Sequence, residues 1–270
     1  MKAGLSSYTY TWAVGVPGSV PVKPLTIYDL IDKAAENEID LIQVADNLPL
    51  ENLACSEIEL ICRYASDKGI SLEMGGRGLM AEHTIKCLNT AEKMGSPILR
   101  MVIDSPGFEP SVNEIISIIR DLSLEFRSRR IKLAIENHDR LKAREFREII
   151  EAVGIETAGI CLDTVNSIGA GEGFEQVCSL LLPCTINLHV KDYQISRLIH
   201  KMGFNVEGRP AGKGMLDIRW LIDNLSIYGI CRSAILELWT PPLPHIEETI
   251  AKENDWAAES LKYLKSLLPS

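Results

Sequence analysis

"KLAIENHDR", residues 132–140, is the stretch on which the fold turns. A short apolar run of strand character ends on Glu136, and Asn137, His138, Asp139 and Arg140 follow at once. A polar turn after a buried strand would read this way, and so would the rim of a site. The same grammar recurs along the chain. Apolar runs of strand length stand at 3–8 (AGLSSY), 40–45 (DLIQVA), 71–75 (SLEMG), 97–103 (PILRMVI), 132–136 (KLAIE), 159–163 (GICLD), 185–190 (TINLHV) and 233–238 (SAILEL). Segments of helical period lie between them. In "LTIYDLIDKAAE", Leu25, Tyr28, Leu30 and Ile31 share a stripe, and "SVNEIISIIRDLSLEF" repeats Ile and Leu at intervals of three and four.

Helix punctuation supports this division. Ser56 with Glu59 and Ser111 with Glu114 fit the reciprocal Ser-x-x-Glu cap, and Asp217 is placed to cap the helix that follows it. Gly69, Gly95, Gly154 and Gly229 fall where helices should stop. A final amphipathic helix is expected over 245–268. Strands alternating with helices imply parallel pairing with the helices outside. The expected fold is therefore an α/β (β/α)8 TIM barrel, a single domain over 1–270. A doubly wound open sheet would carry a glycine-rich phosphate loop after its first strand, and "SSYTYTWAVG" is not one. The longest segment read as irregular is 193–214, long enough to suggest a functional loop.

Composition narrows the partners. The chain is 46% apolar with a formal net charge of −9, so a nucleic-acid backbone would be repelled. Its densest basic run, Arg127, Arg129, Arg130 and Lys132, ends a helix and suits the helix dipole instead. The N-terminus turns polar too soon for a signal peptide, and no apolar run reaches membrane-spanning length. Seven scattered cysteines without a Cys-x-x-Cys pair read as buried thiols in a reducing, cytoplasmic setting.

In a barrel of this kind, catalytic groups come from the C-terminal ends of strands. Four consecutive strands end there on ionisable residues: Glu136, Asp163, His189 and Glu237. Any one acid could be a helix cap or a solvated loop residue. Together, three carboxylates on one rim repel each other unless a cation sits among them, and a divalent metal would supply it. Three oxygen donors and one imidazole suit Mn²⁺, Mg²⁺ or Co²⁺, with Zn²⁺ also admissible. His138 would contact a substrate hydroxyl or hold its loop. Lys191 alternates with His189 along its strand and would bind a carboxylate, a phosphate or an enolate oxygen, or else pair with Asp163. Trp12 and Trp239 would wall the pocket and stack on a sugar face, or pack in the core. Glu73 and Arg100 are costly inside a barrel and should pair with each other or reach the pocket. Asp46 and Asn47 also face the rim.

These motifs, "AIEN", "CLDTVN", "LHVKD" and "LEL", resemble in order those of the xylose isomerase-like barrel family of sugar and sugar-phosphate isomerases and epimerases. The resemblance covers nearly the whole chain. It implies one divalent ion, commonly Mn²⁺, on Glu136, Asp163, His189 and Glu237, with Glu136 and Glu237 as the acid/base pair. It also implies a homodimer or homotetramer. Arg209 in "GRPAGKG" resembles a loop arginine that some family epimerases bring near substrate, with Gly212 and Gly214 letting the loop approach closely. Endonuclease IV, a related DNA-cutting barrel, needs several zinc ions and many histidines, whereas this acidic chain has five histidines. No basic cluster marks a phosphate site, so a non-phosphorylated sugar or sugar acid is the expected substrate.

The leading expectation is a metal-dependent isomerase or epimerase of a small ketose or polyol-ketone, working through a metal-stabilised enediolate. A second is a carboxy-lyase acting on a 3-oxo sugar acid. "GLSSYTYTWAVGVPG", "ENHDR" and "EGRPAGKG" resemble the 3-oxo-isoapionate decarboxylase members of the same superfamily. In that case Lys191 and Arg209 would hold the carboxylate. A third is a non-catalytic sugar-binding barrel, against which the retention of all four ligands argues.

Overall fold

The structure is a computed structural model and describes residues 1–268. Eight parallel strands close a barrel: β1 (Lys2–Ser6), β2 (Leu41–Val44), β3 (Ser71–Arg77), β4 (Ile98–Val102), β5 (Lys132–Glu136), β6 (Ala158–Asp163), β7 (Thr185–Val190) and β10 (Ser233–Leu236). They pair in chain order, and β10 closes against β1 with Ala3 opposite Ala234 and Leu5 opposite Leu236. Between β7 and β10 the antiparallel strands β8 (Asp192–Arg197) and β9 (Phe204–Arg209) form a separate hairpin. The helices are α1 (Thr11–Val14), α2 (Ile27–Glu36), α3 (Cys55–Asp67), α4 (Ala81–Met94), α5 (Val112–Arg129), α6 (Ala143–Val153), α7 (Phe174–Leu181), α8 (Ile218–Tyr228) and α9 (Ile246–Leu267). Among the described residues, no helix is long and apolar enough to cross a membrane.

Side-chain alternation along the strands sorts two environments. Ile42, Val44, Leu72, Met74, Leu99, Met101, Leu133, Ile135, Leu188 and Val190 join one apolar cluster with helix residues such as Ile31, Leu88, Ile119, Phe146 and Leu221. Each such side chain, fully buried, contributes about 1.5–3 kcal/mol. The residues between them, Gln43, Glu73, Arg100, Glu136, Cys161, Asn187 and His189, bond to one another across the barrel. The lumen thus carries a largely paired polar set, as burial demands, alongside a small apolar cluster of Ile98, Ala134, Cys161 and Ile186, and it opens at the C-terminal rim.

Local signals account for several helix limits. Ser111 caps α5 reciprocally with Glu114, and the helix buries Ile115, Ile116, Ile119, Leu122 and Phe126. Asp217 accepts from Trp220 N at the start of α8, and left-handed Gly95 and Gly229 end α4 and α8. Three expectations are corrected. The cap of α3 is Ala54, whose N–H donates to Glu57, so Ser56 and Glu59 already lie inside the helix. β1 stops at Ser6, where Thr9 Oγ1 accepts from Ser6 N and turns the chain into a 3-10 segment. Residues 193–214 are not irregular throughout, since half of them lie in strands: Tyr193, Ile195 and Arg197 pair with Gly208, Val206 and Phe204 across the hairpin. Their alternation was visible, but no type I′ or II′ dipeptide marks the long turn.

The hairpin is anchored by one carboxylate. Asp192, almost fully buried, accepts from the backbone N–H groups of Tyr193, Gly212, Gly214 and Leu216. A Cβ at Gly214 would collide with that carboxylate, which is why the approach of "GRPAGKG" needs glycine there. Replacing Asp192 by Ala leaves these donors unpaired. The expected cost is roughly 3 kcal/mol or more, read by urea unfolding, with new proteolytic cleavage inside 210–216. Unchanged protection of that segment would refute the anchoring role.

Candidate active site

Three barrel strands and the residue just beyond the eighth deliver the four residues singled out above. Glu136 and Asp163 are the last residues of β5 and β6, and His189 is the penultimate residue of β7. Glu237 lies one residue past β10, its N–H donating to Val190 O. All four are essentially shut off from solvent. His189 Nδ1 stands 3.3 Å from Glu136 Oε2, 3.4 Å from Glu237 Oε1 and 3.9 Å from Asp163 Oδ2. Lys191 reaches into the same cluster, with Nζ 2.8 Å from both Asp163 Oδ2 and Glu237 Oε2. Pairing with Asp163 and facing the pocket are therefore both realised by this lysine.

Hydrogen bonding fixes which face His189 offers. Gln43 Nε2 donates to Glu73 Oε2 (3.0 Å) and Asn187 Oδ1 (3.2 Å). Its carbonyl Oε1 must therefore accept, and it takes the N–H of His189 Nε2 at 2.6 Å. The neutral ring then carries its proton on Nε2 and presents the Nδ1 lone pair to the three carboxylates. No well-directed hydrogen bond reaches His189 Nδ1, Asp163 Oδ2 or either oxygen of Glu237. Asp163 is aimed by its other oxygen, which accepts from Val165 N and Asn166 N. Lys191 Nζ stands 2.8 Å from Asp163 Oδ2 and Glu237 Oε2, while His189 Nδ1 and Glu237 Oε1 have no hydrogen-bond partner; buried oxygen and nitrogen atoms converging in this way fit a divalent cation. Glu136 stands at its edge with both oxygens already engaged, Oε2 by Arg100 and Oε1 by Asn166 Nδ2 at 2.7 Å.

The charge balance points the same way. Asp46, Glu136, Asp163 and Glu237 face Arg77, Arg100 and Lys191, one positive charge short. Burial alone would raise Glu136, but Arg100 above all, then His189 and Lys191, hold its carboxyl well below the usual range. Glu237 is also lowered: burial pushes it up, and His189 and Lys191 outweigh that push. Burial disfavours the Lys191 ammonium, yet Asp163, Glu237 and Glu136 keep it charged far above its ordinary value. His189 is raised by Glu237 and Glu136 against the opposing effect of burial.

The remaining predicted residues divide. A cleft of about 780 Å³ above the cluster is lined by Tyr8, Trp12, His138, Asn166, Lys191, Trp239 and the β9 edge Val206–Gly208. Trp12 and Trp239 thus wall the cleft, with Trp12 Nε1 donating to Thr240 O. His138 faces it beside Asp139, 3.4 Å away. Arg209 does not line it; the guanidinium is held by Gln194, Glu207 and Gly208 O on the hairpin. Glu73 and Arg100 do not pair with each other, as Glu73 bonds Gln43 and Ser233 deeper in the lumen. Arg100 bridges Glu136 and Asp46, while Asn47 accepts from Ser7 Oγ.

In "NHDR", Asn137 brackets the backbone of Asp163, donating to its O and accepting from its N. Arg140 forks onto Asp104. Gln43 and Asn166 escaped the sequence reading, since neither is ionisable. The one available signal for Gln43 was an amide in the middle of "LIQV", where an apolar strand run should have none.

A closed (β/α)8 barrel with an acidic, imidazole-bearing cluster at its C-terminal rim, under a tryptophan-walled cleft, defines a TIM barrel with its candidate site at the strand ends. The chain belongs to the xylose isomerase-like TIM barrel family, whose family model matches residues 31–267. It is 30% identical over 269 residues to the 3-oxo-isoapionate decarboxylase of Pectobacterium atrosepticum, covering 100% of this chain and 97% of that protein. Its fold matches D-psicose 3-epimerase from Clostridium cellulolyticum H10, solved with D-tagatose, at a TM-score of 0.75 and 13% identity, covering 100% of both chains. A xylose isomerase-like barrel from Mycobacterium smegmatis, solved with magnesium, matches at 0.70 and 16% identity, covering 99% of this chain and 98% of that one.

Two measurements test this geometry. Gln43→Leu frees the His189 ring to turn, so metal affinity by calorimetry should fall about 10–100-fold while the circular dichroism spectrum stays unchanged; undiminished affinity would remove Gln43 from the site. The second concerns Glu253 of α9, fully buried, whose carboxylate accepts from Trp12 N and Ala13 N and so fixes the Trp12 wall. Burial pushes its carboxyl from 4.5 up to about 7 despite those donors. The folded state then holds a proton that the unfolded state releases. This contribution is intact below about 4.5 and is lost as pH rises towards about 7. Urea unfolding from pH 4.5 to 8 should show that decline in the native chain and less of it in Glu253→Gln. Parallel curves would exclude it.

Proposed function

We propose that this chain is a divalent-metal-dependent carboxy-lyase acting on a 3-oxo sugar acid. Mn²⁺ is the proposed ion, held by Glu136, Asp163, His189 and Glu237. The observation that carries the reading is the engagement of Glu136 at both oxygens, with Lys191 beside one oxygen each of Asp163 and Glu237. Abstracting a carbon-bound proton needs a carboxylate free to act as base. Glu136 is bonded at both oxygens and held well below its ordinary pKa, which makes it a weak one. Loss of carbon dioxide from a 3-oxo acid needs no such base. The bond to the carboxylate breaks, its electron pair moves onto the 3-oxo oxygen as an enolate, and water then protonates the carbon.

Bound metal would supply Lewis-acid stabilisation of the negative charge arriving on that oxygen. The chain's own residues do the rest. The persistent Lys191 charge offsets the incoming anion, Trp12 and Trp239 stack on the sugar face, and His138 meets a hydroxyl at the rim. The full-length similarity to a 3-oxo-isoapionate decarboxylase supports the same substrate class.

The sugar isomerase or epimerase reading stands second. It is favoured by Glu136 and Glu237 both approaching His189 Nδ1, at 3.3 and 3.4 Å, as a two-base site would require. The Mn²⁺-loaded chain should release carbon dioxide from 3-oxo-isoapionate. It should not wash deuterium from D₂O into ketoses; the opposite result would establish the second reading. Lys191→Met should lower kcat by about 10²–10³-fold, and Glu237→Gln should abolish turnover. Full activity in either variant would overturn that residue's role.

A further inference from the structure

We infer that Glu51, His83 and Cys87 form a second metal site, suited to zinc and separate from the barrel mouth. His83 and Cys87 are one helical turn apart on α4, and Cys87 Sγ lies 3.5 Å from His83 Nε2. Glu51 comes from the short 3-10 turn Leu50–Asn52 after β2. One ligand atom from each of the three lies within 4.8 Å of the others. Ligands of one tetrahedral zinc stand roughly 3.3–3.8 Å apart, from bond lengths of 2.0–2.3 Å, so a small inward shift of the flexible Glu51 side chain closes the set.

The independent observation is Glu51 Oε2. It is closed off from solvent and has no hydrogen-bond partner, and its carboxylate is the one that lies within 4.8 Å of the half-buried imidazole and the fully buried thiol. A carboxylate oxygen is not left that way without a counter-charge or a bound species. One sulfur, one nitrogen and one oxygen form a mixed, borderline-soft set, which selects zinc over magnesium or manganese. Such an ion would clamp the loop after β2 to α4, a junction already bridged by Lys86 Nζ donating to Asn52 Oδ1 at 2.8 Å. The chain entering that loop carries Asp46, the partner of Arg77 and Arg100. The second ion would therefore firm the support beneath Glu136 without touching substrate.

The test uses the full chain, stripped with chelator and titrated with Zn²⁺ or Co²⁺. Two equivalents should bind, and the Co²⁺ form should show a thiolate-to-metal charge-transfer band in the near ultraviolet. Cys87→Ser should lose that band and one equivalent. His83→Gln, on a half-buried helix face, should weaken the second equivalent at least tenfold and keeps the test readable if Cys87→Ser fails to fold. Cys161 lies near Glu136 and His189, so Cys161→Ser is the control and should keep the band. A single equivalent in the native chain, or a band that survives Cys87→Ser, would show that water occupies this place.

Discussion

Arg100 is the largest fully buried side chain in the barrel, and its guanidinium cannot lose its proton. A charge of that kind inside a protein must be met, and it is met by Glu136 and Asp46. That requirement propagates. Asp46 is also held by Arg77 and Tyr8, tying β3 and the segment after β1 to the same point. Glu136 is pinned so that its remaining neighbours, His189 and Lys191, see a permanent negative charge. Breaking such a pair would strand the surviving ion in a medium that solvates it poorly. The barrel mouth is therefore a linked set of buried charges, each protonation state conditioned by the others.

The lumen below extends this organisation by hydrogen bonds alone. Gln43 has one carbonyl and one amide, and Glu73 and Asn187 claim the amide. Its carbonyl is left to orient His189. A neutral side chain thereby decides which imidazole nitrogen faces the acids, although it carries no charge and touches no carboxylate of the cluster. Asn137 and Thr164 act similarly on the backbone of Asp163 and Lys191, aligning the ends of β6 and β7. Val206, Glu207 and Gly208 of the β8–β9 hairpin line the cleft, while Arg209 stays with its own strand neighbours.

Much of this was legible in the chain itself. β5 and β7 run from Lys132 to Glu136 and from Thr185 to Val190, as their apolar runs indicate, because parallel barrel strands are covered on their outer face by helices. Glu136, Asp163, His189 and Glu237 could be found because position at a strand end and residue type coincide. The α3 cap lies two residues before the expected one, since Ser56 and Glu59 fit the reciprocal pattern while the helix starts at Ala54, which has no side-chain acceptor and is met only by Glu57. The hairpin was missed because its turn is long and lacks the short dipeptides that announce one.

By itself, then, the sequence determined the alternation of strand and helix, the closure into a barrel and the four ionisable residues at its rim. These depend on hydrophobic period and strand ends, which are local and additive. Tertiary structure alone decided the partners. Arg100 took Glu136 rather than Glu73, Lys191 entered the acidic cluster, Arg209 stayed outside the cleft, and Gln43 set the tautomer of His189. Pairing inside the barrel depends on distances across it, between residues as far apart in the chain as Gln43 and His189, 146 positions, and no local pattern encodes them.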